Sequence, residues 1–400
     1  MLALAQETGH RRSAWKVATA AMLLAAAWLG LNVAGNYDGQ WSGLFYTGSK
    51  APLPETLGAH IQRVPDEIGY DAQFYHLIAH DPLIQRDFIP YVDNPRLRWR
   101  RIGVPGLAAL LTAGSDHYVD AAYIAIQLGL VLLGVYWLSR YAQEYGLHAA
   151  WGVTFLLIPA VLVSLDRMTI DLPLAALCVG LIWYAARIEQ ANHSARWPVY
   201  VILAAAPLVR ETGMILVAAW CAYSALRRNL LAAALGACCA IPALAWWAYV
   251  HSRTPPDGTP WLSTYPFSGI IERTVHGIGH PTSSPWLRMA ANLETAAIAG
   301  IWLALLLTFY LAWRLTLERR WELAALTAIL FAVFSASLGR LDIWASAYAT
   351  GRTMSPLLIM LGLLALRERR WLFALPLLLV LPRIALQYQA QLKGALRGIL

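Results

Sequence analysis

Residues 291–313 read ANLETAAIAGIWLALLLTFYLAW, and Glu294 is the one charged side chain among them. Wound as an α-helix at ~1.5 Å per residue, a run of this length covers the ~30 Å hydrocarbon core of a bilayer. Further apolar runs are read at about 14–34, 117–138, 148–164, 171–187, 229–250, 322–338, 353–366 and 371–386. Lipid offers no partner for backbone amides, so such runs read as helices; a membrane barrel would show short alternating segments instead. Composition agrees, since 58% of the 400 residues are hydrophobic, 14% are charged and the mean hydropathy is +0.50. A soluble globular chain carries about a quarter charged residues, and a disordered chain is poor in apolar ones. The expected class is an all-α polytopic membrane protein, a single integral membrane domain over 1–400 with about nine to eleven transmembrane helices.

Charge placement orients the chain. There are 31 basic and 23 acidic residues, and most of the basic ones are arginine. Arg140, Arg187, Arg196, Arg227, Arg228, Arg314, Arg319, Arg320, Arg367, Arg369 and Arg370 fall in short turns between apolar runs, the pattern of cytoplasmic loops. With those turns inside, the other face receives 35–101, 164–171, 251–290 and 339–352. No basic stripe with interleaved aromatics lies outside the apolar segments, so the bilayer and not nucleic acid is the partner that the net charge of +8 implies. Cys178, Cys221, Cys238 and Cys239 all sit in apolar runs and read as small core residues. The run at 14–34 is too long for the apolar region of a signal peptide and reads as a retained first helix. Two segments, 102–114 and 197–226, read as half-inserted or broken helices, the second interrupted at Arg210-Glu211-Thr212-Gly213. Broken backbone at membrane depth is tolerable where it lines a polar cavity.

Chemistry-bearing residues gather in the first large loop, 35–101. There, Gly69-Tyr70-Asp71-Ala72-Gln73-Phe74-Tyr75-His76-Leu77-Ile78-Ala79-His80-Asp81-Pro82 predicts a helix from Asp71 that stops before Pro82. On it Asp71 and Tyr75 are i,i+4 neighbours, as are His76 and His80, while Phe74, Leu77 and Ile78 form an apolar stripe. The expectation is an amphipathic helix on the membrane surface, with Asp71 either capping it or doing chemistry. His80 and Asp81 supply two metal-ligand types, too few to define a site, so no metal is read from the sequence. Downstream, Asn94-Pro95 predicts a second helix start, which puts Arg98 and Arg101 on one face. Planar guanidinium forks suit phosphate, whether of a ligand or of lipid headgroups. Asp166, Arg167, Asp171, Arg210, Glu211 and Arg352 are ionisable at depth, where charges pair or line a water-filled path. Asp166–Arg167 and Arg210–Glu211 are the simplest pairs. Asp38 resembles Asp71 in its setting but reads as a turn, and Arg340 and Asp342 read as a solvated loop.

The run Tyr70-Asp71-Ala72-Gln73-Phe74-Tyr75 with Ile78-Ala79-His80-Asp81-Pro82 resembles the YDGQFY…IAxDP signature of bacterial integral membrane proteins linked to cell-surface glycopolymer formation. Pro95-Arg96-Leu97-Arg98-Trp99-Arg100-Arg101-Ile102, Arg210-Glu211-Thr212-Gly213 and Gly351-Arg352 with Pro356 are similar to further stretches of that family. The resemblance runs from about residue 36 to 365, and Ala72 stands where glycine is usual. That family is in turn similar to the GT-C glycosyltransferases, among them the mannosyltransferases that add the second mannose of GPI anchors. The resemblance implies a GT-C-like fold whose large first extracytoplasmic loop carries amphipathic helices, and a multi-pass protein of the bacterial inner membrane with its active site facing the periplasm. It implies a polyprenyl-phosphate-linked sugar as donor, a glycan or lipid acceptor, and an acid in the loop near the catalytic centre, which by motif match is Asp71. Arg98, Arg101 and Arg352 are then the expected phosphate-binding residues, with Tyr75, His76, His80, Asp81, Arg210 and Glu211 as further candidates. No cofactor is expected, because arginine can neutralise a leaving group that carries one phosphate. The rival expectation is a transporter or flippase for lipid-linked sugars, or an accessory subunit of polysaccharide assembly; it predicts charges at mid-membrane in two related halves.

Overall fold

A computed structural model describes residues 2–58, 60–190, 195–256, 258, 262–277, 284–319 and 321–397. The chain is an all-α polytopic membrane protein. Among the described residues six helices are long and apolar enough to cross a bilayer: Glu7–Asn36, Val119–Glu144, Asp171–Glu189, Leu230–Arg253, Pro285–Glu318 and Ala347–Glu368. The number rises to eight if each of two bent pairs is one span. Shorter apolar helices form at Arg196–Val209, Glu211–Leu226 and Leu323–Ser337. At ~1.5 Å per residue none of these three reaches across ~30 Å of hydrocarbon; the first two are the halves of the segment expected to be broken at 197–226, while Leu323–Ser337 falls short of the span expected at 322–338. The run at 148–164 is not one straight span either. It folds as the 3-10 segment Ala149–Leu157 and the helix Pro159–Arg167, bent by 61° where Pro159 starts the new helix.

Small residues let the helices approach. Ala14, Ala18, Ala21 and Ala25 form a buried stripe on the helix Leu2–Asn36, which packs against Val119–Glu144, and Trp15 stacks on Tyr136 at 4.4 Å. Asp171–Glu189 and Ala347–Glu368 are the most enclosed spans, and Leu230–Arg253 the least, with Leu230, Leu231, Ile241 and Leu244 on its open side. Of the cysteines only Cys178 is buried; Cys238 is exposed on that peripheral helix, so the expectation of four core thiols fails there.

The enclosed spans have two chemically different ends. At one end Arg187 pairs with Glu7 and Glu144, Arg314 with Glu368, and Arg367 with Glu322. At the other end of the same spans stand Asp171 and Arg352, and against them lies the first loop. That loop has its own hydrophobic core, built from Leu44, Phe45, Tyr75, Ile78, Trp99 and Tyr123. Two two-residue strands, Thr47–Gly48 and Arg63–Val64, pair in parallel over it. The predicted helix forms as Asp71–His80, with Ala72, Gln73, Tyr75, His76, Leu77, Ile78 and Ala79 buried. It is therefore no surface helix: Phe45 stacks on His76 at 4.0 Å, covering the face that the apolar stripe leaves polar. The loop at 251–290 lies partly outside the described residues; its helix Ser268–His276 packs beside Leu341–Trp344.

Candidate active site

Local rules set the site's framework. Gly69 takes φ +87°, a left-handed conformation that suits glycine, and turns the chain into the Asp71–His80 helix. Asp71 is the first residue of that helix but does not cap it: Tyr70 holds the cap position and makes no side-chain cap bond. Asn94 does cap, its side chain accepting from the Leu97 amide and starting the helix Pro95–Arg100. The predicted break leaves Arg210 extended between Arg196–Val209 and the turn Glu211–Gly213. A Cβ on Gly213 would come within 2.2 Å of the Ala206 carbonyl carbon, so only glycine lets the break fold this tightly.

These pieces bring Asp71, Arg98, Arg101, Arg210, Glu211 and Arg352 to one cavity of about 800 Å³. Asp71 Oδ1 accepts from Arg98 Nη2 at 2.8 Å, and Asp71 Oδ2 lies 2.8 Å from Arg352 Nη1. Arg98 also donates from Nε and Nη2 to Asp93, both at 2.8 Å. The Tyr75 hydroxyl accepts from Arg98 Nη1 at 3.1 Å and from Arg101 Nη1 at 2.6 Å, tying the two predicted phosphate arginines together. Arg101 Nε reaches the Glu211 carboxylate at 3.0 Å, and Arg210 pairs with Asp171. The simple Arg210–Glu211 pair is thus not made, because the broken backbone points the two side chains to different helices. Arg352 also lies 3.6 Å from Asp171, through Nε.

Burial alone would raise the Asp71 carboxyl, but the charges of Arg98 and Arg352 outweigh it and hold the group well below the usual carboxylate range. Six arginines (98, 100, 101, 210, 340 and 352) line the cavity against four carboxylates (Asp71, Asp93, Glu211 and Asp342), a balance that favours an anion. Leu97, Leu262, Phe334, Leu338 and Ile343 give it an apolar side. Arg340 and Asp342, expected in a solvated loop, pair with each other at 2.7 Å on its lining.

No protein-family model, no curated protein and no solved structure matches the chain.

Other expected residues lie elsewhere. Asp81 is a loop clasp: its carboxylate accepts from the Gln85 and Arg86 amides, and its carbonyl accepts from Trp99 Nε1. His76 and His80 face away from the cavity, toward Asp120 and Asp116 at the start of the Val119–Glu144 span. They do not face solvent: His76 is buried. Asp166 and Arg167 pair at 3.0 Å as expected, with Tyr348 donating to Asp166 and the Tyr46 ring under Arg167, and neither lines the cavity. Asp38 is the expected turn, at φ 51°. Sequence reading did not single out Asp93, Asp116 or Asp120. For the last two a signal existed, since their i,i+4 spacing matches that of the histidines they meet.

Proposed function

We propose that this protein is a glycosyltransferase of the GT-C type, related to the glycopolymer-formation family, which moves a sugar from a polyprenyl-phosphate donor to a glycan or lipid acceptor. In this reading it sits in the bacterial inner membrane with the cavity facing the periplasm. The observation that carries the proposal is the juxtaposition of one carboxylate, Asp71, with Arg98, Arg101 and Arg352 in a cavity that has an apolar side. A polyprenyl-phosphate sugar needs those three things: forked cations for the phosphate, apolar surface for the tail, and a proton acceptor.

The acceptor hydroxyl attacks the anomeric carbon, the carbon–oxygen bond to phosphate breaks, and Asp71 takes the hydroxyl proton. Charge developing on the departing phosphate is met by Arg98, Arg101 and Arg352. Clamped between two arginines, Asp71 is a weak base. Donor phosphate competes for the same guanidinium groups, so binding draws charge away from Asp71 and raises its basicity when substrate is present. The Arg352 contact with Asp71 lacks hydrogen-bond alignment, which leaves that arginine the more easily redirected. The charges that line the cavity lie at one end of the enclosed spans, which favours the transferase over a transporter, whose sites lie near mid-membrane between repeated halves.

The test is transfer of label from radiolabelled polyprenyl-phosphate sugars to a lipid extract by the purified full chain. Label in a new product, lost in Asp71→Asn, supports the reading. Translocation of the intact labelled lipid in proteoliposomes, without sugar transfer, would overturn it in favour of a flippase.

A further inference from the structure

The histidine pair that the cavity does not use has the geometry of a metal site. His76 and His80, one turn apart on the Asp71–His80 helix, bring their Nε2 atoms to 3.3 Å from each other. Asp120 Oδ1 lies 2.6 Å from His76 Nε2 and 3.8 Å from His80 Nε2. Ligand nitrogens held ~2.0–2.1 Å from a tetrahedral zinc ion stand ~3.3 Å apart, so the two imidazoles already have that spacing. To be equidistant from the two nitrogens the carboxylate oxygen must move by roughly 1 Å, a shift that a small side-chain rotation of Asp120 supplies. Two histidines at i,i+4 on one helix face also form the pair that zinc enzymes with an HExxH helix use.

The surroundings prepare His80 as a ligand. Its Nδ1 lies 2.7 Å from Asp116 Oδ1, and an ionised carboxylate can only accept, so Nδ1 carries a proton and the neutral imidazole has its lone pair on Nε2, on the side of His76 and Asp120. Asp116 is itself gripped by both Arg86 Nη atoms, at 2.7 and 2.9 Å. A carboxylate that orients a histidine from behind is the usual partner of a metal-bound imidazole. On its other side Asp120 borders a cavity of about 580 Å³ that Gln40, His60 and His117 also line.

We propose that His76, His80 and Asp120 bind one divalent transition-metal ion of the zinc class, with Asp116 positioning His80. Two neutral imidazoles and one carboxylate suit Zn²⁺ or Co²⁺ and disfavour Mg²⁺ and Ca²⁺, which take oxygen ligands. The ion would fasten the C-terminal half of the helix that carries Asp71 to the start of a membrane span. Its role is to hold the loop in place, and it does not depend on which reaction Asp71 serves.

The experiment uses tag-free full-length protein in detergent, stripped with chelator and dialysed against zinc. Elemental analysis should find close to one zinc per chain, and zinc should raise Tm saturably while magnesium does not. Cobalt should give the strong visible absorption of a tetrahedral site. His80→Gln and Asp120→Asn should each weaken zinc binding at least about 100-fold, and Asp116→Asn, which keeps all three ligands, about 10–100-fold. Wild-type protein that takes up no zinc and whose Tm ignores both zinc and chelator overturns the proposal. So does uptake undiminished in a monodisperse His76→Gln/His80→Gln variant. If the variants fail to fold, the wild-type stoichiometry and cobalt spectrum decide alone.

Discussion

Asp71→Asn separates a structural role for this carboxylate from a chemical one. The substitution keeps the shape and one carbonyl oxygen but removes the charge that faces Arg98 and Arg352, whose side chains are only 8% and 14% exposed. Removing one partner of a fully buried ion pair costs about 3–5 kcal/mol. The cost here is smaller, because Arg98 keeps both Asp93 bonds and Arg352 keeps Asp171, so about 1–3 kcal/mol is expected. Taken from a total of about 5–15 kcal/mol, the worst case still leaves ~97% of the molecules folded. A drop in Tm of a few degrees, with normal yield, is the stability outcome. If Asp71 is the proton acceptor, turnover in the radiolabel assay should fall about 10²–10⁴-fold, far beyond what partial unfolding can produce. Asp93→Asn is the sharper control, since it removes another partner of the same Arg98 without touching the base; it should cost stability but at most about tenfold in turnover. Asp38→Asn, at an exposed left-handed turn that asparagine tolerates, should change neither. Equal losses in Asp71→Asn and Asp93→Asn would refute the reasoning and assign the effect to a misplaced Arg98.

Arg98→Lys and Arg101→Lys keep charge but lose the fork, so at least one should raise the donor KM tenfold or more; wild-type kinetics in both would leave their ion pairs within the loop as their whole role. Gly213→Ala forces a Cβ to within 2.2 Å of the Ala206 backbone and should lower detergent-solubilised yield and Tm together, whereas Gly58→Ala, with nothing within 4 Å of the new carbon, should not. Because the Asp71 carboxyl is held below its unfolded value, the stability it contributes is complete above about pH 4–5 and is lost as pH falls further. Acid unfolding of the wild type should therefore be steeper below about pH 4 than that of Asp71→Asn, and parallel curves would remove the clamp. In a cysteine-free background, His60→Cys in the first loop should react with an impermeant thiol reagent on intact spheroplasts. Labelling only after lysis would invert the proposed topology.

Local physics was legible in the residues themselves. The helical membrane class follows from apolar runs whose backbone must hydrogen-bond within itself, and it needs no tertiary information. The limits of the Asp71–His80 helix, the start at Asn94-Pro95 and the break at Arg210–Gly213 follow from proline, capping and glycine chemistry at those positions. Tertiary structure alone decided which charges meet. With 28 arginines and 23 acids, sequence distance does not choose partners: Glu211 takes Arg101, 110 residues away, in preference to its neighbour Arg210, which turns to Asp171. Likewise only the packing of Phe45 on His76 turned an apparently amphipathic surface helix into a buried one, and only the docking of that helix on the span at Val119 set two histidines opposite two aspartates. Backbone preferences act over a few residues and are written locally. Ion pairing and burial depend on distances that exist once the helices have packed.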